Sequence, residues 1–161
     1  MAAEACEAAA DVALARIIMS DLLFVYGTLR KGNANKMSAY LSTHAQFLTH
    51  AWFQGLMFQI SYYPGVIASE DVNDCVYGEV YKLNDPDSAL AILDAYEECS
   101  AQHTQPAEYK RVIARIHAKD GTLFEQVWIY LYQWPINDKV LIKEGDFMKG
   151  LGLCELKTMG A

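Results

Sequence analysis

Two adjacent glutamates, Glu97 and Glu98, close a stretch of helical periodicity. With Leu93 at the centre of a helical wheel, Ala89, Leu90, Ile92 and Tyr96 cluster around it, and Glu97 falls inside that apolar arc, roughly 40° from Leu93. Glu98 falls outside and is expected to be solvated. A carboxylate on an apolar face is costly unless it is paired, hydrogen-bonded or protonated. Desolvation raises its pKa toward the range useful for proton transfer near neutrality. Two readings of Glu97 stand side by side. One is an acid/base group in a pocket. The other is an inward glutamate that pairs with Arg111 or Arg115, or reaches water at the helix end.

The second chemical feature is a turn. The apolar run Leu22-Leu23-Phe24-Val25-Tyr26 stops at Gly27, and Thr28, Leu29, Arg30, Lys31 and Gly32 follow. A buried strand that ends in a tight turn reads this way. Such a turn aims several backbone N–H groups at one point and holds a carboxylate or an oxyanion without a charged side chain. Gly-Thr at a strand end is more often only structural, and the segment is neither a P-loop nor a GxGxxG. It gains weight from an inward acid on a later helix.

Competing nucleophiles are weaker. Cys99 has His103 four residues on, in a loop, and an incidental thiol is the simpler reading. Ser20, Ser38, Ser42 and Ser69 sit in no nucleophile-elbow context. Tyr62, Tyr63, Trp128, Tyr130, Tyr132 and Trp134 read mainly as core or turn packing, with some rings available to line a pocket.

These groups need a scaffold, and 161 residues with 53% apolar content suffice for one domain with a real core. A formal net charge of −7 argues against a nucleic-acid footprint. It leaves room for a small anionic ligand held by backbone donors. The four cysteines and four histidines match no zinc spacing, so no metal site is expected. Reduced thiols and the absence of a membrane-length apolar run fit a cytoplasmic protein. Residues 1–19 are alanine-rich and acidic, and Arg16 comes too late for a secretory signal. They are expected to form a loosely ordered extension before a single domain over residues 20–161.

The scaffold itself reads as mostly strands. Residues 22–26 predict a strand, 35–41 a short helix, and 44–60 two strands or one bent strand broken near Gly55. Tyr62-Tyr63-Pro64-Gly65 predicts a turn, residues 66–69 a short extended piece and 76–83 a strand. Asp85-Pro86-Asp87 is a helix-start signature for a helix over 86–98. Residues 109–117 alternate, with Lys110, Val112, Ala114 and Ile116 on one face. Asp120-Gly121 marks a hairpin into 122–132, where Leu123, Val127, Ile129 and Leu131 oppose Phe124, Trp128, Tyr130 and Tyr132. With no regular βαβ rhythm, the expected class is α+β with a mixed, curved or barrel-like sheet.

Several of these segments, taken in order, resemble the gamma-glutamylcyclotransferase-like superfamily, within it the small gamma-glutamylamine cyclotransferase and bacterial homologues. Phe24 to Gly32 is similar to its opening motif, Val76-Tyr77-Gly78-Glu79-Val80-Tyr81 to its G-x-[VL]-[YF] strand and Leu93-Asp94-Ala95-Tyr96-Glu97 to its LDxYE or LDxFE helix end. Tyr109-Lys110-Arg111 resembles its Y-x-R strand opening, and Gly145-Asp146-Phe147 its closing G-x-[WF] element. The resemblance covers about residues 22–148. It implies a five- to six-stranded barrel-like sheet with a few short flanking helices. It also implies a cyclotransferase without metal or cofactor, acting on a small gamma-glutamyl amine or peptide.

On that resemblance Glu97 is the general acid/base, and Tyr26, Gly27, Thr28 and Leu29 hold the substrate. The family often has glycine or serine after the glutamate, where this chain has Glu98. The loop at 100–107 also looks long. The implied reaction is attack of the substrate's alpha-amine on its own gamma-carbonyl, giving 5-oxoproline and a free amine. Rival functions are a non-catalytic binder of gamma-glutamyl ligands and a Cys99-dependent amidase. The identity of the leaving amine and the oligomeric state are not encoded legibly.

Overall fold

The computed structural model describes residues 20–27, 36–97 and 106–147. Among them the chain runs β1 (Leu22–Val25), α1 (Lys36–His44), β2 (Ala45–Gln59), β3 (Pro64–Ala68), β4 (Cys75–Leu83), α2 (Pro86–Tyr96), β5 (Tyr109–Ala118), β6 (Leu123–Tyr132) and β7 (Val140–Leu141). The order β2-β4-β1-β6-β5 returns to β2 through Ala51 opposite Ala118 and Trp52 opposite His117, so five strands close a barrel. The β1–β6 pair is parallel and the other neighbours are antiparallel, which makes the sheet mixed. β3 and β7 pair with the outer half of β2, beyond the barrel. The α+β class and the barrel-like sheet, with two short helices among the described residues, agree with the expectation.

Strand alternation divides the core in two. Phe24, Tyr26, Val76, Val80, Ile116, Val127 and Ile129 belong to one buried cluster, the barrel filling. Leu23, Val25, Tyr81, Leu83 and Tyr130 face the other way and meet Leu41 of α1 and Ala89, Leu90 and Leu93 of α2. Because β6 feeds both clusters, both of its faces are apolar, as in strands covered on both sides.

Some expectations shift at the level of register. Residues 45–59 form one continuous strand with an irregularity at Leu48 instead of a break at Gly55. Gly55 lies within the strand, where a Cβ would sit 2.5 Å from the Ile67 carbonyl oxygen across the β2–β3 pair, so the close pairing there requires glycine. Pro64 and Gly65, expected in a turn, open β3, so the bend is confined to residues 61–63. In β6 the register moves three residues from Val127 to Phe124 while β5 moves two, from Ala114 to Ile116. That extra residue turns Phe124 toward the barrel filling, in place of the expected Leu123, which is exposed.

Helix α2 ends at Tyr96, two residues earlier than expected. Its buried stripe is Ala89, Leu90 and Leu93, whereas Ile92 and Tyr96 are 39% and 43% exposed. One sheet wall covers only a narrow stripe of a surface helix, and the two flanking apolar positions of the wheel stay outside it.

Candidate active site

Glu97 is placed by the two ends of α2. Asp85 caps the start, accepting from the Ser88 amide at 3.4 Å, with Pro86 in the first turn and Asp87 facing the positive end of the dipole. At the other end Glu97 is the C-cap, its own amide donating to the Leu93 carbonyl at 2.8 Å. Being four residues after Leu93 and seven after Leu90, it extends the buried stripe past the last helical turn. The stripe therefore ends in a carboxyl that lines a cavity of about 210 Å³.

The cavity lies where α2, the end of β1 and the start of β5 meet. Its described lining comprises Phe24 to Gly27, Tyr62 to Pro64, Tyr96, Glu97, Glu108, Tyr109 and Tyr130. Tyr26 and Gly27 thus share a wall with Glu97, as the sequence reading required. Thr28 and Leu29 lie outside the described residues, as do Glu98, Cys99 and His103. Gly27 packs against Pro64 so closely that a Cβ would come within 2.8 Å of its Cγ, and only glycine allows the chain after β1 to approach β3 this way.

The tyrosine hydroxyls of the inner wall are engaged. Tyr26 donates to the Tyr130 carbonyl at 2.5 Å, and Tyr109 donates to the Pro64 carbonyl at 2.6 Å. Burial first, and then the Glu97 carboxyl, push the Tyr26 phenol well above its usual range. Burial and the neighbouring phenol and carboxyl groups do the same to Tyr109. Neither is a ready proton donor at neutral pH; both act as walls and anchors.

Glu97 differs from them. Among the described residues no group donates a hydrogen bond to its carboxyl. Burial, and then the charge of Glu108, push its pKa from 4.5 up to about 8. Its position at a helix C-terminus adds negative potential in the same direction. A carboxyl held near 8 carries and gives up a proton close to neutrality, which suits general acid/base work.

Arg111, one of the expected partners of Glu97, pairs instead with Asp94. Its Nε and Nη2 meet the two Asp94 oxygens at 2.7 and 3.0 Å, and its guanidinium lies 4.2 Å from the Trp128 ring centre. Arg115, the other, is exposed on β5. Tyr130 also donates to Asp94 at 2.7 Å, and the Tyr130 carbonyl accepts from Tyr26. Asp94 therefore ties α2 to β5, β6 and the cavity wall one turn before Glu97.

The sequence reading missed Glu108. It sits just before β5, in a position with no periodicity to assign it a face, and the structure buries it with its Oε1 accepting from Tyr63 at 2.6 Å. Among the described residues no group of three or more His, Cys, Asp or Glu side chains is placed to hold a metal.

The model of the gamma-glutamyl cyclotransferase, AIG2-like family matches residues 23–149. The chain is 31% identical over 127 residues to the gamma-glutamylcyclotransferase family protein YtfP of Escherichia coli K12, covering 78% of this chain and 95% of that one. The solution structure of the Escherichia coli ytfP protein superposes with a TM-score of 0.53 at 30% identity, over 80% of this chain and 97% of that one. Gamma-glutamylaminecyclotransferase A of Danio rerio is 36% identical over 89 residues, covering 48% of this chain and 50% of that protein. The crystal structure of YkqA from Bacillus subtilis is alike in fold, with a TM-score of 0.61 at 24% identity, over 85% of this chain and 43% of that one.

Proposed function

This chain belongs to the gamma-glutamyl cyclotransferase, AIG2-like family, and from that premise we propose that it converts a small gamma-glutamyl amine or peptide to 5-oxoproline and a free amine, with Glu97 as general acid/base. The observation that carries the reading is the carboxyl of Glu97, without a hydrogen-bond donor among the described residues, lining the same cavity as the Tyr26-Gly27 turn. The kinship with gamma-glutamylaminecyclotransferase A adds support for an amine as the leaving group.

In the proposed step the substrate's alpha-nitrogen attacks its own gamma-carbonyl carbon. A ring C–N bond forms, and the original amide C–N bond breaks. The alpha-nitrogen starts as an ammonium and ends as a lactam N–H, losing two protons. The leaving nitrogen starts as an amide N–H and departs as an ammonium, gaining two. No water is consumed. Glu97 takes protons from the first nitrogen and returns them to the second. Closing a five-membered ring from a held conformer removes much of the barrier through orientation alone. Backbone donors of the turn at Tyr26, Gly27, Thr28 and Leu29 are proposed to hold the substrate carboxylate or the developing oxyanion.

The test is to incubate the protein with a panel of gamma-glutamyl amides and measure 5-oxoproline. The expected result is product with at least one amide and a loss of about 100-fold or more in kcat for Glu97→Gln. Product unchanged in Glu97→Gln overturns the assignment. A Cys99-dependent amidase would instead add water and release glutamate, and Cys99→Ala would abolish it.

A further inference from the structure

The same cavity holds a second carboxylate that the reaction as written does not use. Glu108 is only 9% exposed. Its backbone is fixed: its carbonyl accepts from the Gln133 amide at 2.8 Å, and Tyr109, the next residue, pairs with Tyr132 at the end of the β5–β6 ladder. Tyr63 holds one carboxylate oxygen. The other has no donor among the described residues. Tyr26 and Tyr109 do not supply one, since their hydroxyls are committed to backbone carbonyls.

The described lining contains no lysine, arginine or histidine to balance the two carboxyls. Aromatic residues line the cavity around them instead. Tyr62, 80% exposed, meets Tyr63 edge-on at 4.9 Å between ring centres, and Tyr96 lies on the helix side. A buried carboxylate oxygen that accepts no hydrogen bond is costly, a cationic donor offsets that cost more strongly than a neutral one, and aromatic walls favour cations over anions.

Resting on the reading of this cavity as the substrate site, we propose that Glu108, anchored by Tyr63, is its ammonium-binding group and receives a primary ammonium of the substrate. That ammonium has two possible sources with the same chemistry: the alpha-ammonium common to all gamma-glutamyl amides, or a second ammonium carried by a diamine leaving group. Glu108 is then a binding residue, distinct in role from Glu97, which moves the proton.

The experiment is calorimetric binding to the full chain carrying Glu97→Gln, which keeps ligands intact, with and without Glu108→Gln. Three ligands separate the cases: gamma-glutamylbutylamide, its desamino analogue glutaric acid monobutylamide, and gamma-glutamyl-1,4-diaminobutane. The expected result is that Glu108→Gln weakens gamma-glutamylbutylamide by about tenfold or more, the weight of one charge-assisted hydrogen bond, and leaves the desamino analogue unchanged. Weakening confined to the diaminobutane ligand assigns the site to the leaving group. Equal weakening of all three ligands, or none, overturns the proposal. Tyr63→Phe, which removes the anchor and keeps the ring, is expected to act in the same direction to a smaller extent, and serves if Glu108→Gln does not fold. Ammonium-dependent binding in a wild-type protein that forms no 5-oxoproline would sink the cyclotransferase reading and keep this one. Turnover in wild type with binding indifferent to Glu108 would do the reverse.

Discussion

Glu97 is a carboxylic acid at a helix C-cap, where the dipole favours cations, inside a cavity with another carboxylate. Each of these facts works against its ionised form. The consequence for activity is directional. Removal of a proton from the alpha-ammonium needs the carboxylate, so kcat/KM is expected to rise with pH up to about 8 and level off above it. A pH–rate profile that is flat from 6 to 9 contradicts the assignment of Glu97 as base. The consequence for stability has the opposite sign. The folded state holds this proton up to about 8, whereas the unfolded chain releases it near 4.5. Between those values the folded state binds more protons, so the contribution is fully present below 4.5 and is lost as pH rises through 8. The unfolding midpoint is therefore expected to fall from pH 5 to pH 9 in wild type, with a shallower fall in Glu97→Gln. Thermal melts across that range measure both. At this scale the sequence was informative: the spacing of Glu97 from Leu93 and Leu90 marked it as inward. Glu108 was not legible, because one residue before a strand has no pattern of its own.

Helix α2 is fixed to the barrel by more than its apolar stripe. Asp94 and Arg111 form a two-point fork, Tyr130 adds a third contact, and the guanidinium lies over Trp128. Lysine cannot reproduce the fork or the planar stack. Arg111→Lys is expected to lower unfolding free energy in urea by about 1–2 kcal/mol. It should also reduce kcat more than it raises KM, because the last turn of α2 carries Glu97. A variant with wild-type urea midpoint and kcat would show the fork to be dispensable. The helix start was plain in Asp85-Pro86-Asp87, since capping chemistry is local. The partner of Arg111 was not, since two carboxylates three residues apart, Asp94 and Glu97, lie on nearly the same face. Only the position of β5 decides between them.

At the scale of the molecule, the barrel depends on close passage between strands. A Cβ at Gly78 in β4 would lie 2.2 Å from the Val25 carbonyl oxygen of β1 and 2.7 Å from the Phe24 ring. Gly78→Ala must push β1 away from β4 just before the Tyr26-Gly27 turn. It is expected to cost about 3 kcal/mol in urea unfolding, at the upper end of overpacking effects. An unchanged midpoint would show that the β1–β4 contact is softer than drawn. Closure of the barrel joins β2 to β5 at only two residue pairs, reinforced by Trp52 stacked on His117 at 4.0 Å. No helix among the described residues is long and apolar enough to cross a membrane.

Periodicity and capping, both local properties, determined most of the strands, the start of α2, the inward side of Glu97 and the end of β1 just before Gly27. The ordered motifs then pointed to the family that the comparisons establish. Tertiary structure alone decided the rest: which strands close the barrel, that Arg111 serves Asp94, that Ile92 and Tyr96 face solvent, and that Glu108 enters the cavity. These depend on which surfaces meet across long separations in sequence, and side-chain type and spacing within one segment carry no record of that. The acid could be read from its own neighbourhood, whereas the second carboxylate became visible only when β5 was placed beside α2.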